Sequence, residues 1–355
     1  MIKVKAPGRV CLFGDHQDYL GLPIIACAID KHIYLEAVPN QSQVIKIQFI
    51  DINENRAIAV PIKLENYDPK DAFTAVLKVL QKQDCFPNKG YDITIKGAIP
   101  INAGLSSSSA LLLVWIGFLV GAFGKGKQYH QEELAKIAYE AEVLERNGPG
   151  GKMDQYSIAL GHIIYLETND NASYKTFKRE LPGLIIGESG ISKDTLGLLA
   201  DRRSLAIEAL RFLENQLPSF DIKKVTLSTI GTYTKVLPNH LSPYFNAAIN
   251  NYLITQKALL EFQRDKLHLK SIGVLMSAHH LILKNDLKIT VPRIDHMIDA
   301  AVLNGAYGAK IVGSGGGGCI VALVPEQNEE LVINALKKAG AVNAYKVSVS
   351  EGIIL

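Results

Sequence analysis

Pro100-Ile-Asn-Ala-Gly-Leu-Ser-Ser-Ser-Ser-Ala110 runs directly into an apolar stretch, residues 111–123. Small residues just ahead of a helical run make a compact loop whose backbone N–H groups converge on one point. The positive end of the helix dipole adds to them, and the combination favours a phosphate. The serine hydroxyls add neutral donors and one candidate ligand for Mg²⁺. A flexible serine-rich turn has the same composition, but a serine run leading into an apolar helix points to the phosphate site. No hydrolytic or redox constellation stands out around it, so the first expectation is a nucleotide-dependent transferase.

The rest of the composition bounds this reading. A chain of 355 residues, 48% hydrophobic, suits one large domain or two ordinary ones around a substantial core. A net charge of +3 without a dense Lys/Arg run argues against nucleic acid or an anionic membrane as partner. Cys11, Cys27, Cys85 and Cys319 lie far apart and form no C-x-x-C pair, so buried free thiols in a reducing cytoplasm are expected. The segment Met1-Ile-Lys-Val-Lys-Ala-Pro-Gly-Arg9 has no long apolar run of the signal-peptide kind. The most apolar segment, 110–123, is shorter than the roughly 20 residues of a membrane span and reads as a buried core helix.

Periodicity places strands at 4–10, 24–29, 33–38, 45–50 and 91–95, followed by the helix after Ser109. A second helix over 131–145 is broken by Asn147-Gly-Pro-Gly-Gly151; a third covers 153–160, and 162–167 reads as a strand. The polar stretch 168–179 sets a domain boundary near residue 180, dividing the chain into 1–180 and 181–355. Beyond it, a strand at 183–187 precedes helical patterns at 204–216, 244–267, 276–283 and 294–304. Strands at 309–312, 319–324 and 344–349 close the chain. Strands and helices mixed in both halves argue for an α+β fold rather than a repeated βαβ sheet.

Three further motifs carry polar residues at element ends. In Ala6-Pro-Gly-Arg-Val-Cys-Leu-Phe-Gly-Asp-His-Gln-Asp-Tyr19, a strand is followed at once by Asp15, His16, Asp18 and Tyr19. Carboxylates and an imidazole so placed suit hydroxyls, each of which needs both a donor and an acceptor; a solvated turn would carry the same aspartates. Glu142 is followed by Gly150-Gly-Lys-Met-Asp-Gln155, where a carboxylate after two glycines can approach a ligand closely or simply cap a helix. In Ala309-Lys-Ile-Val-Gly-Ser-Gly-Gly-Gly-Gly-Cys319, Gly313, Gly315 and Gly318 satisfy G-x-G-x-x-G, yet a strand rather than a helix follows. It is read as a strand–loop–strand turn, not a dinucleotide fingerprint. Gly121-Ala-Phe-Gly-Lys-Gly-Lys127 has P-loop spacing but Gln128 in place of Ser/Thr, and is rejected.

Taken in order, these motifs resemble those of the GHMP small-molecule kinases, the family of galactokinase and of homoserine, mevalonate and phosphomevalonate kinases. The resemblance covers nearly the whole chain. It implies a two-domain fold, a ribosomal-protein-S5-like N-terminal domain (1–180) and a ferredoxin-like C-terminal domain (181–355), with the active site in the cleft between them. The first motif is most similar to that of galactokinases, with Cys11, Phe13, Asp15 and Gln17 where those carry Asn, Ile, Glu and Thr. Gly190-Ile-Ser-Lys-Asp-Thr195 and 313–319 look more like mevalonate kinases, and Lys152 beside Asp154 resembles a pattern of heptose-phosphate kinases.

What the resemblance implies is ATP-dependent phosphorylation of a monosaccharide hydroxyl, the anomeric one first. Asp154 and Arg9 would be catalytic, and Asp15, His16, Asp18, Gly151 and Lys152 would contact the sugar. Gly104, Leu105, Ser106, Ser107, Ser108 and Ser109 would cradle the ATP phosphates. Ser108 and Glu142 would hold Mg²⁺, with Ser107 and Ser109 as alternatives because four consecutive serines blur the register. Mevalonate, or an acidic or phosphorylated sugar read by Lys152, is the alternative acceptor; a non-catalytic sugar sensor is a third reading. A cytoplasmic monomer or homodimer is expected.

Overall fold

The computed structural model describes residues 1–62, 64, 68, 70–192 and 195–355. Strand β1 (Ile2–Phe13) pairs antiparallel with β2 (Ile24–Pro39) along almost its whole length. Residues 24–29 of β2 are buried on both faces and so form an unbroken apolar run. The remainder alternates toward its end, because one face meets solvent. The sequence suggested two strands here; there is one. The register steps from Pro7↔His32 to Gly8↔Ile29, so Asp30 and Lys31 form a bulge rather than a turn.

Strands β3 (Val44–Phe49), β4 (Glu54–Ala59), β5 (Tyr91–Gly97), β6 (Ile163–Glu167) and β7 (Ser173–Phe177) complete a seven-stranded sheet. Its order is β4-β3-β5-β2-β6-β7, with β1 on β2, and only β3–β5 is parallel among its pairings. Helices α1 (Ala72–Gln81), α2 (Ser107–Phe123), α3 (Gln131–Tyr139) and α4 (Met153–Leu160) form the layer that packs on it. Helix α2 is apolar around its circumference, and Leu113, Trp115, Ile116 and Phe118 have no exposed surface. It is the core helix its composition implied. The expected helix over 131–145 is α-helical only to Tyr139. Residues 140–144 form a π-helical turn in which Glu145 N–H reaches back to Glu140 O, the kind of widening that often marks a functional site.

The second sheet consists of β8 (Leu184–Glu188), β9 (Gly308–Ile311), β10 (Cys319–Leu323) and β11 (Asn343–Val347), all antiparallel, in the order β11-β8-β10-β9. Between β8 and β9 lie helices α5 (Thr195–Gln216), α6 (Ile230–Thr234), α7 (Ser242–Phe262), α8 (Leu269–Asn285) and α9 (Pro292–Leu303). Helix α10 (Glu329–Lys338) joins β10 to β11. With its first strand between the third and the last, this sheet has the ferredoxin-like arrangement, and the molecule is α+β. Lys193 and Asp194, in the segment similar to mevalonate kinases, lie outside the described residues.

Strand β7 falls within 168–179, which had been read as a polar boundary. Its Ser-Tyr-Lys-Thr-Phe sequence is polar because it is an edge strand. The halves are not cleanly separate. Val312, Cys319 and Val321 share an apolar cluster with β1 and β2. The C-terminal tail returns to the first sheet through the bridges Ile29↔Val349, Gly161↔Glu351 and Lys5↔Ile354. All four cysteines are free and buried. Among the described residues no helix is long and apolar enough to cross a membrane.

Candidate active site

The serine loop is laced to β1. Arg9 N–H donates to Leu105 O at 3.1 Å, and Arg9 Nη1 donates to Gly104 O. Ser106 occupies the residue before α2 in the left-handed region (φ 59°, ψ 47°). Its hydroxyl does not cap the helix, as a serine there usually would; it donates instead to Asp154 Oδ2 at 2.6 Å. A left-handed non-glycine residue costs about 1–3 kcal/mol. A hydrogen bond to a carboxylate returns roughly 1.5–3 kcal/mol, so the bond offsets the strain. Gly104, also left-handed at φ 91°, makes the preceding turn without that penalty.

Asp154, in the first turn of α4, is the meeting point. Arg9 Nε and Nη2 donate to its Oδ1 at 2.8 and 2.7 Å, while Ser106 holds Oδ2. The Arg9 side chain is 4% exposed and that of Asp154 29%, so part of the carboxylate stays open to solvent. Burial works against the Arg9 charge, and Asp154 more than offsets it, so the Arg9 pKa is raised.

Glu142 projects from the π-helical turn. Its Oε2 accepts from Ser109 Oγ at 2.7 Å and from Gln155 Nε2 at 2.8 Å. Burial pushes its pKa up; the two hydrogen bonds oppose this and nearby Asp154 adds to it. Gln155 Oε1 is buried without a hydrogen-bond partner. A carboxylate, a hydroxyl and an orphaned amide oxygen together suit a hard divalent cation, and Mg²⁺ is characteristically held by one or two protein carboxylates plus substrate phosphates. The structure brings Ser109 to Glu142, whereas Ser108 is exposed and Ser107 partly so. Ser109, one of the alternatives that the serine run leaves open, is thus the hydroxyl beside Glu142: on α2 the residue that turns inward is 109.

The first motif divides. Asp18 starts a short 3₁₀ turn, is 8% exposed, and lies against Gly151, with its Oδ2 accepting from Met153 N–H at 3.4 Å. Burial, then the charge of Asp154, raises its pKa to about 6. Asp15 and His16 are placed differently from the sequence expectation that they contact the acceptor. Asp15 has no exposed surface; its Oδ2 accepts from Lys310 Nζ at 2.6 Å and its Oδ1 from Gly313 N–H at 2.8 Å. Burial alone would raise its pKa, but Lys310 outweighs that and holds it at about 2. His16 is 5% exposed, with Nε2 3.1 Å from Ser314 O and Nδ1 3.1 Å from Tyr19 Oη. Both residues face the third glycine motif because the buried Lys310 charge needs a counter-charge there and the loop supplies Gly313 N–H and Ser314 O as partners.

That motif is the strand–loop–strand turn expected of it: residues 312–318 join the antiparallel strands β9 and β10. Lys152 Nζ donates to the carbonyls of Asn169 and Asp170. Lys310 and Gln155 were missed by the sequence reading. The only signal for Lys310 is a charge inside the apolar run Ala-Lys-Ile-Val; for Gln155 there is none beyond adjacency to Asp154.

Residues 71–162 match the GHMP kinases N terminal domain, residues 257–342 the GHMP kinases C terminal, and residues 2–39 the galactokinase galactose-binding signature. The mevalonate kinase of Thermococcus sibiricus is 27% identical, over 99% of this chain and 97% of that protein. The galactokinase of Haemophilus influenzae is 28% identical, over 98% of this chain and 90% of that protein. The crystal structure of Lactococcus lactis galactokinase complexed with galactose superposes with a TM-score of 0.87 at 22% identity, covering 99% of this chain and 94% of that one, a likeness of fold.

Proposed function

The chain belongs to the GHMP kinases, ATP-using enzymes that phosphorylate hydroxyl groups of small molecules, and we propose that its acceptor is a monosaccharide, phosphorylated at the anomeric hydroxyl. The observation that carries this is the placement of Asp154. It is clamped by Arg9 and Ser106, stays partly open to solvent, and has the acidic side chain of Asp18 beside it across Gly151. The match of residues 2–39 to the galactose-binding signature supports the sugar. We divide the chain at residue 180, which leaves the acceptor motif and phosphate loop in 1–180 and the glycine-rich third motif in 181–355.

In this reading Asp18 orients the acceptor by accepting a hydrogen bond from one of its hydroxyls, and Asp154 takes the proton of the attacking hydroxyl. The fixed Arg9 guanidinium places positive charge beside the phosphoryl in transit, and the N–H groups of 104–109 cradle the ATP phosphates. Ser109, Glu142 and Gln155 would hold Mg²⁺, which would supply positive charge against that of the ATP phosphates. Positioning and electrostatics then supply most of the rate.

A second reading has a specific observation behind it. With Asp15 and His16 engaged by the third motif, the cleft has fewer groups for a hydroxyl-rich sugar than the sequence suggested. That favours an acceptor with few hydroxyls, such as mevalonate. The test is ADP release, coupled to NADH oxidation, over galactose, arabinose, galacturonate, glucuronate, N-acetylhexosamines, fucose, a heptose phosphate and mevalonate. Turnover of one neutral sugar supports the proposal. Turnover of mevalonate alone replaces it with the second reading, and turnover of an acidic or phosphorylated sugar alone moves the acceptor class and returns Lys152 to it.

A further inference from the structure

Lys310 lies in β9 of the second sheet, yet its side chain ends inside the first motif. Its Nζ donates to Asp15 Oδ2 at 2.6 Å, to Cys11 O at 3.0 Å and to its neighbour's carbonyl, Ile311 O, at 2.7 Å. Neither Lys310 nor Asp15 has exposed side-chain surface. All three ammonium protons thus have acceptors, which is what a fully buried lysine requires. The same loop grips the motif twice more, through Gly313 N–H to Asp15 Oδ1 and Ser314 O to His16 Nε2. His16 in turn reaches Tyr19, and Asp18 lies between them in sequence. His16 is held at φ 63°, a strained backbone that needs outside support. His279 stacks on Phe13 beside this pair, with neither ring nitrogen hydrogen-bonded.

A buried ion pair contributes little net stability but is costly to break on one side. Its effect here is geometric: it fixes the turn 14–21, which carries Asp18 onto Gly151 and, through Met153 N–H, next to Asp154. We propose that Lys310 is a positioning residue for the acceptor: its pair with Asp15 latches the third glycine motif to the first and so sets where Asp18 meets the acceptor hydroxyl. The nucleotide side of the site, Ser109 and Glu142, hangs on α2 and the π-helical turn, and among the described residues neither side chain hydrogen-bonds to Lys310 or Asp15. The latch should therefore act on the acceptor and spare ATP. This inference rests on the kinase reading above.

The experiment uses the full chain as Lys310→Met, Asp15→Asn and the double variant, with whichever acceptor of the panel wild type turns over. Each single variant is expected to raise the acceptor KM about tenfold or more, as small misplacements at a reacting centre do, with the ATP KM within about twofold. The double variant is expected to be no worse than either single one, because the pair acts as a unit. If a single variant does not fold, the double, which leaves no lone buried charge, is read alone, and a raised acceptor KM with unchanged ATP KM supports the latch. Folded variants with wild-type acceptor KM, with acceptor and ATP KM rising together, or with additive effects overturn it. Hydrogen exchange provides a readout that does not depend on turnover. In the folded variants, amides of 14–22 and 313–318 should exchange faster while those of α2 do not. Should wild type phosphorylate no acceptor, the acceptor reading has failed and exchange alone decides: faster exchange in both segments keeps the latch, and unchanged exchange removes it.

Discussion

A Cβ placed on Gly151 would lie 2.3 Å from Asp18 Oδ2 and 2.9 Å from the Asp18 carbonyl carbon. Only a residue without a side chain lets the acidic turn of the first motif rest on the backbone that leads into α4. Three residues later that backbone carries Asp154, so the proposed acceptor reader and the proposed proton acceptor share one short segment.

Gly151→Ala should therefore damage acceptor use more than nucleotide use. The Asp18 carboxylate can swing away from a methyl group, but the Asp18 backbone contact cannot, so the turn must shift. Overpacking of this kind costs about 1–3 kcal/mol of stability. The acceptor kcat/KM is expected to fall by about a hundredfold, since displacements near 1 Å at a reacting centre have that effect. Steady-state kinetics with each substrate varied in turn measure this; an unchanged acceptor KM and kcat would remove Asp18 from the acceptor site.

Asp18 also predicts a pH dependence. Its folded pKa of about 6 lies above the ordinary value, so the folded state favours the protonated form. The stability this contributes is complete below about pH 4 and is lost as pH rises through 6. A shift of this size corresponds to about 3 kcal/mol. Asp18→Asn, which never ionises, should be more stable than wild type at pH 8 and gain little at pH 4; thermal midpoints across pH check it. If the ionised carboxylate receives the acceptor hydroxyl, acceptor kcat/KM in wild type rises through pH 6, and that limb is absent in the variant.

Asp154→Asn tests the proton acceptor. The amide oxygen still accepts from Arg9, and the amide N–H₂ can donate to Ser106 Oγ in place of the bond Asp154 received, so the fold survives, with the loss of a charge partner costing about 1–3 kcal/mol. Removal of a general base lowers rates by about 10²–10⁴-fold. Turnover should fall by that factor while ATP affinity, measured by titration calorimetry, holds. Turnover within a few-fold of wild type would mean that another group takes the proton.

The legible parts of the molecule were those written in contiguous residues. Helix α2 announced itself through an apolar run and the serines before it, and β6, β8 and β10 through short apolar runs between turns. Edge strands β4 and β7 escaped because their outer residues are polar, and the bulge at Asp30 looked like a turn because a bulge interrupts the alternation as a turn does. In the site, Arg9, Asp154 and Glu142 were found from motifs and do converge. The partners of Asp15 and His16 were not, since Lys310 and Ser314 lie some 300 residues away in sequence (295 from Asp15 to Lys310, 298 from His16 to Ser314) and only the folded chain brings them together.

The serine register is the last point the structure makes testable. Ser106 precedes α2, and Ser107, Ser108 and Ser109 on it differ in direction because a helix turns by about 100° per residue. Ser109 is the one whose hydroxyl meets Glu142, at 2.7 Å, and Ser108 faces outward. Ser109→Ala should raise the Mg²⁺ concentration for half-maximal activity by about tenfold or more, the usual effect of removing a group that holds or orients a metal ligand. Ser108→Ala should leave it within about twofold. Ser106→Ala should behave differently again: its partner is Asp154, so kcat should fall with the Mg²⁺ requirement unchanged. Titrating Mg²⁺ at fixed ATP in the three variants separates these roles. A raised requirement in Ser108→Ala but not Ser109→Ala would mean that α2 rotates when nucleotide binds, returning the metal to the residue that the family resemblance indicated.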